Sequence, residues 1–202
     1  MLYYNNKPVN PVRRHPSTER FFQWRTFKTD TQDLRTKIET DFEPVKSETR
    51  SEKYFLIPGR RNVMPRMIDD TRFEVRSLVN DNEPLELWER SISTSFPLKR
   101  TTSATIGSAI PRFRGSLNSV MTPDSLCESL QRKSKYFETT KSRQVFKKDS
   151  IKAEISEIVV DGETQFSIAL QSKDKDTILN LIETFGLKPV DNTNIADHLM
   201  TA

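Results

Sequence analysis

The chain has 202 residues, 34% of them hydrophobic and 30% charged, with 32 Lys and Arg against 28 Asp and Glu for a formal net charge of +4. That length suits one ordinary domain or two small ones, and the low apolar fraction predicts a modest core with part of the chain outside it. No run of about 18 apolar residues could cross a membrane as a helix. The single cysteine, Cys127, excludes an internal disulfide, and two histidines near the ends, His15 and His198, argue against a zinc centre or a Ser-His-Asp triad.

Residues 1–19 carry Pro8, Pro11 and Pro16 and no apolar periodicity, so an irregular tail is expected there. It lacks the apolar stretch of a secretory signal, and the three prolines spoil the amphipathic helix of a transit peptide despite the Arg13-Arg14 pair. Residues 21–27 are aromatic-rich and read as a strand with Gln23 and Arg25 on one face. A helix follows, capped by Asp30 or Thr31, with Leu34, Ile38 and Phe42 on one stripe and Pro44 ending it. Residues 53–57 form a short strand closed by Pro58-Gly59, residues 63–68 and 72–79 a hairpin, and residues 85–92 a further strand.

Nine of the eighteen residues 91–108 are Ser or Thr, and residues 99–121 are expected to be a mobile insertion. Thr122 then caps a helix with Pro123 at its first position and Leu126 and Leu130 buried, and residues 141–146 make a strand. In residues 151–171 Asp161-Gly162 suits a two-residue turn, which places Glu154 opposite Ala169 and Ser156 opposite Ser167. One face then carries Lys152, Glu154, Ser156, Ser167, Ala169 and Gln171; the other, including Ile155, Phe166, Ile168 and Leu170, faces a core. A last helix bears Ile178, Leu181, Ile182 and Phe185 and stops at Gly186, leaving a flexible tail over residues 188–202.

This order is that of an α+β protein, a curved antiparallel sheet with helices outside. Arg25, Arg66, Glu74, Arg76, Lys152 and Glu154 all lie in strands on the face away from the larger apolar residues. Either that face is open to solvent and the charges pair across strands, or the sheet closes on a charged groove where cations converge on a polyanion.

The spacing of Phe22-Gln23-Trp24-Arg25-Thr26-Phe27, Ser51-Glu52-Lys53-Tyr54-Phe55, Val63-Met64-Pro65-Arg66, Phe73-Glu74-Val75-Arg76-Ser77-Leu78, Leu85-Glu86-Leu87-Trp88 and the hairpin over 152–170 resembles the CYTH superfamily, the triphosphate tunnel metalloenzymes, and within it a divergent bacterial branch. The resemblance implies a closed tunnel of about eight antiparallel strands over residues 20–187, with helices outside. In the enzymes of that family, tunnel Arg and Lys bind a triphosphate and Glu and Asp hold a divalent metal. Carried over, it implies phosphate binding by Arg25, Arg66, Arg76, Arg143 and Lys152, with Glu74 and Glu154 as the metal candidates left.

The departures are specific. The family's first-strand signature, Glu-x-Glu-x-Lys, reads here as Phe21, Gln23 and Arg25, and Ser167, Ala169 and Gln171 stand where glutamates alternate on the last long strand. Mg²⁺ or Mn²⁺ needs carboxylate oxygens that these residues lack. The expected function is therefore binding of a triphosphate, nucleotide or polyphosphate at a degenerate metal site by a cytoplasmic protein, with no membrane and no nucleic acid partner. Two alternatives stand beside it. One is an active Mg- or Mn-dependent triphosphatase or cyclase that recruits Glu86 or Glu157; the other is a subunit of an assembly, docked through the N-terminal tail or residues 99–121.

Overall fold

The Asp161-Gly162 turn sets the register of the last hairpin, because both residues take the left-handed backbone that a two-residue type I′ turn demands. The computed structural model describes residues 19–28, 31–80, 85–110, 112–117 and 121–201, so Asp30 and all of the expected N-terminal tail but Glu19 lie outside the described residues. Strands β7 (Ile151–Val160) and β8 (Glu163–Ser172) pair with Glu154 opposite Ala169 and Ser156 opposite Ser167, as the turn requires. They join β1 (Glu19–Thr26), β2 (Glu43–Leu56), β3 (Val63–Ile68), β4 (Arg72–Asn80), β5 (Glu86–Ser95) and β6 (Lys135–Lys148). All pairings are antiparallel, and the sheet closes into a barrel in the order β1-β5-β4-β3-β2-β6-β7-β8. Closure removes the free edges that an open sheet of this size would expose.

Helices cover the barrel on two sides. Trp24, Phe146, Ile155, Ile168 and Leu170 point outward under α1 (Gln32–Asp41) and α4 (Lys175–Thr184), which contribute Leu34, Ile38, Ile178 and Ile182. Phe55, Met67, Phe73 and Val75 point outward under α3 (Pro123–Gln131) and α2 (Arg100–Ala109). Thr122 accepts the cap bond from the Ser125 backbone, with Pro123 at the first turn. Phe166, expected on the core face, is on the outward face and 51% exposed.

Four expectations are corrected. β2 begins at Glu43, ten residues before the strand expected at 53, because the alternation of Lys46, Glu48, Arg50 and Glu52 is one of charges and not of apolar side chains. β6 likewise begins at Lys135 rather than 141. The described residues 99–110 and 112–117 of the expected insertion are not loose: Ile106, Ile110, Phe113 and Leu117 follow a helical period that begins near the end of the Ser/Thr-rich stretch, and all four are buried. Gly107 lets this segment fold back on itself, since a Cβ there would come within 2.9 Å of the Phe113 carbonyl oxygen. Finally, the C-terminal segment is not a loose tail. Residues 189–191 form a 3-10 turn and Ile195–Thr201 forms α5, with Ile195, Ala196 and Leu199 buried.

Candidate functional site

Alternation along each strand sends every second side chain into the barrel, and strand pairing decides at which height each arrives. At one end the interior is apolar: Phe21, Tyr54, Leu56, Met64, Trp88, Ile158 and Val160 form a plug, closed from outside by Ile195, Ala196 and Leu199 of α5. The segment before α5 completes the wall here. The Thr193 N–H donates to the Arg25 carbonyl at 2.7 Å, and the Arg25 N–H donates to Asn192 Oδ1 at 2.9 Å. Trp88 is 1% exposed and belongs to this plug, with its indole N–H on Glu86 Oε2. This end of the barrel is therefore closed.

Toward the other end the interior is ionic. Glu154 is one hub: Lys141 Nζ reaches its Oε1 at 2.7 Å, Arg25 Nη2 the same oxygen at 3.1 Å, and Arg143 Nη1 its Oε2 at 2.7 Å. Glu52, wholly buried, is the other: Arg50 and Tyr54 donate to it at close range, and Arg66 Nη1 lies 3.4 Å away. Arg66 Nη2 also donates to Glu74 Oε2 at 2.7 Å. Glu48 joins the two hubs, since Arg143 bonds both it and Glu154, and Arg50 bonds both it and Glu52. One network thus runs from Arg25 on β1 to Glu74 on β4.

The electrostatics follow from that geometry. Against the cost of burial, Lys141, Arg25 and Arg143 hold the Glu154 carboxyl well below the usual carboxylate range. Arg66, Lys141 and Arg50 do the same for Glu52, and Arg66 and Arg76 hold Glu74 at about 2. Burial pulls Lys141 down to about 8, although Glu154 and Glu52 favour its charge.

Two cations remain outside the pairing. Among the described residues neither Arg76 nor Lys152 forms an ion pair, and burial lowers the pKa of both. Arg76 lies over the Phe21 ring, 5.3 Å from its centroid, with Arg66 as a like-charged neighbour. Its Nε–H is buried without an acceptor, as are those of Arg25, Arg50 and Arg90. A buried donor left unpaired costs roughly 1–3 kcal/mol. The interior therefore holds more positive charge than its four glutamates balance, and several donors that an incoming oxyanion could satisfy.

The structure brings Arg25, Arg66, Arg76, Arg143 and Lys152 onto one inner wall surface, as their strand positions required. It does not bring Glu74 and Glu154 together. They stand on β4 and β7, opposite each other in the eight-strand circuit, each bound to its own cations. Nor do the other two acids help: Glu86 sits at the plug with Asn194, and Glu157 is exposed on the outer wall. No three Asp, Glu, His or Cys side chains converge on a possible metal position among the described residues. The donor set does not fit the divalent ion that the resemblance implies. Glu48, Arg50, Glu52 and Lys141 escaped sequence reasoning as site residues, although the alternating charges from Lys46 to Glu52 are the signal that could have found three of them.

No family model matches this chain, and no curated protein matches it. Solved structures do. The PH1012 protein from Pyrococcus horikoshii superposes with a TM-score of 0.56 at 15% identity, covering 89% of this chain and 98% of that one. A conserved hypothetical protein from Pyrococcus furiosus gives 0.55 at 15% identity, over 86% and 94%. The PH1819 protein from Pyrococcus horikoshii gives 0.52 at 12% identity, over 90% and 98%. At these identities the likeness is one of fold alone, a closed antiparallel barrel of eight strands with helices outside.

Proposed function

We propose that this protein binds a compact polyanion, a triphosphate, a nucleotide or a short polyphosphate, in the open half of its tunnel and does not turn it over. The observation that carries the reading is Arg76, a half-buried guanidinium inside the barrel with no carboxylate partner among the described residues and a buried Nε–H without an acceptor. Lys152 and Arg143, which reach the same space, would complete a cationic cradle. Phosphate oxygens suit it, because a guanidinium donates two parallel bonds to them. The ligand would enter away from the plug, since α5 seals the other end. The reading without turnover rests on the carboxylates: among the described residues no three Asp, Glu, His or Cys side chains are grouped to hold a catalytic metal ion.

Cys127 is a lone thiol, which suits a reducing compartment, and the proposal places the protein in the cytoplasm. No helix among the described residues is long and apolar enough to cross a membrane.

Isothermal titration of the full chain with tripolyphosphate and ATP at low salt tests the proposal. Saturable binding that weakens by at least ~10-fold in Arg76→Gln is expected, from the loss of one charge-assisted bond of roughly 1.5–3 kcal/mol. Absence of binding, or an unchanged Arg76→Gln affinity, overturns it. Phosphate release followed by malachite green should stay at the level of a protein-free control with either Mg²⁺ or Mn²⁺.

A further inference from the structure

Every glutamate of the tunnel network is already committed. Glu154 receives Lys141 and Arg25 on Oε1 and Arg143 on Oε2. Glu52 receives Arg50, Arg66 and Tyr54. Glu74 receives Arg66 on Oε2, with Arg72 beside Oε1, and Glu48 receives Arg143 and Arg50 on Oε1 and Lys46 on Oε2. A divalent ion of the Mg²⁺ type is held by one or two carboxylates together with the oxygens of a bound phosphate. To gain the carboxylate of Glu52, Glu74 or Glu154 it would have to break a buried ion pair, and even at the partly exposed Glu48 it would sit beside the guanidinium groups of Arg143 and Arg50. Breaking such a pair is costly, because it leaves an uncompensated charge in a desolvated space. The positions where other carboxylates could have stood carry Gln23, Ser167, Ala169 and Gln171, none of them a carboxylate, and Gln171 Nε2 donates to Gln23 Oε1 at 2.9 Å.

From this disagreement between the fold's implied metal and the donors present, we infer that the tunnel takes its polyanion free of divalent cation, and that Mg²⁺ opposes binding instead of supporting it. The inference rests on the reading of the tunnel as a polyanion site and deepens it. Chelation removes two negative charges from the ligand and places a hydrated dication where Arg76, Arg143 and Lys152 already repel positive charge. The ligand that matches surplus guanidinium and ammonium groups is the one with its full charge. In this tunnel the cellular Mg²⁺ level becomes a regulator that withdraws ligand.

The test is titration of the full chain with tripolyphosphate in EDTA and again in enough MgCl₂ to chelate the ligand, with ionic strength matched by KCl. Binding at least ~10-fold weaker in Mg²⁺ is the expected result, from the two charges lost to chelation. Equal or tighter binding in Mg²⁺ overturns the inference while leaving the polyanion reading intact. No binding in either buffer overturns the polyanion reading itself, and the inference with it. Mn²⁺ supplies an independent readout through its electron paramagnetic resonance signal. The free-ion signal should keep its amplitude when protein alone is added, and a loss of amplitude that Glu154→Gln abolishes would place a metal ion in the tunnel and overturn the inference.

Discussion

The two ends of this barrel are made from the same strands, with the same pleat and the same inward alternation, yet one is filled with rings and aliphatic chains and the other with ions. On β2 the change comes within three inward residues: Arg50 and Glu52 belong to the ionic network, and Tyr54 is where it meets the plug, its ring among Leu56, Met64 and Trp88 and its hydroxyl on Glu52. The apolar end gains from every contact and asks nothing of its neighbours beyond shape. The ionic end is interdependent, since each carboxylate is tolerable only while its cations are present. That contrast separates a part of the molecule that serves stability from a part whose charges do not cancel, and the excess is what a ligand can use.

Several experiments would break or sharpen the contrast. The largest expected effect is at the plug: Trp88→Ala should cost about 3–5 kcal/mol in urea unfolding, from the cavity left by a side chain 1% exposed. Glu154→Gln comes next, at about 3 kcal/mol, because Arg25, Lys141 and Arg143 then share a buried space without their anion. Tripolyphosphate should raise the melting temperature of that variant more than that of the parent, since it restores the lost negative charge. If the two shifts are equal, the ionic end is structural alone.

Acid should unpick the ionic end before the plug. Arg66 and Arg76, overcoming the cost of burial, hold Glu74 at about 2 against an ordinary 4.5, so its ionisation stabilises the fold above pH 4.5 and that contribution is lost as pH falls toward 2. Urea midpoints measured at pH 7 and pH 3 should fall accordingly, and the fall should be smaller in Glu74→Gln. The smallest effect concerns Glu48, which is partly exposed and bonded to Arg143, Arg50 and Lys46. Glu48→Gln should change stability by no more than ~1 kcal/mol, as for a pair near solvent, while tightening tripolyphosphate binding several-fold by releasing Arg143. Weaker binding in that variant would show that Glu48 orients the arginine for the ligand instead of competing for it.

Much of the fold was legible in the chain, and the reasons are local. Asp161-Gly162 admits one tight turn, and that turn fixed which residues of β7 and β8 share the inner face. Thr122-Pro123 marks a helix start by its own chemistry, and the stripes of α1 and α4 follow from a single period. Arg25, Arg66, Arg76 and Lys152 were visible because each sits beside an apolar strand neighbour that gives away the alternation. The first half of β2 was not, because its inward residues are ions and its outward residues are exposed, so no burial pattern exists to be read.

What the sequence determined alone is therefore the set of strands with an apolar face and of the helices α1, α3 and α4, the register of the last hairpin, and the uncharged inner positions Gln23, Ser167, Ala169 and Gln171. Closure of the barrel, the burial of α2 and α5, and the pairing of Arg25 with Glu154 and Arg66 with Glu52 were decided only in three dimensions. The reason is that a charge carries no mark of its partner. Whether an arginine is neutralised or left free for a ligand depends on which carboxylate the folded chain brings within bonding distance, and strands far apart in sequence settle that.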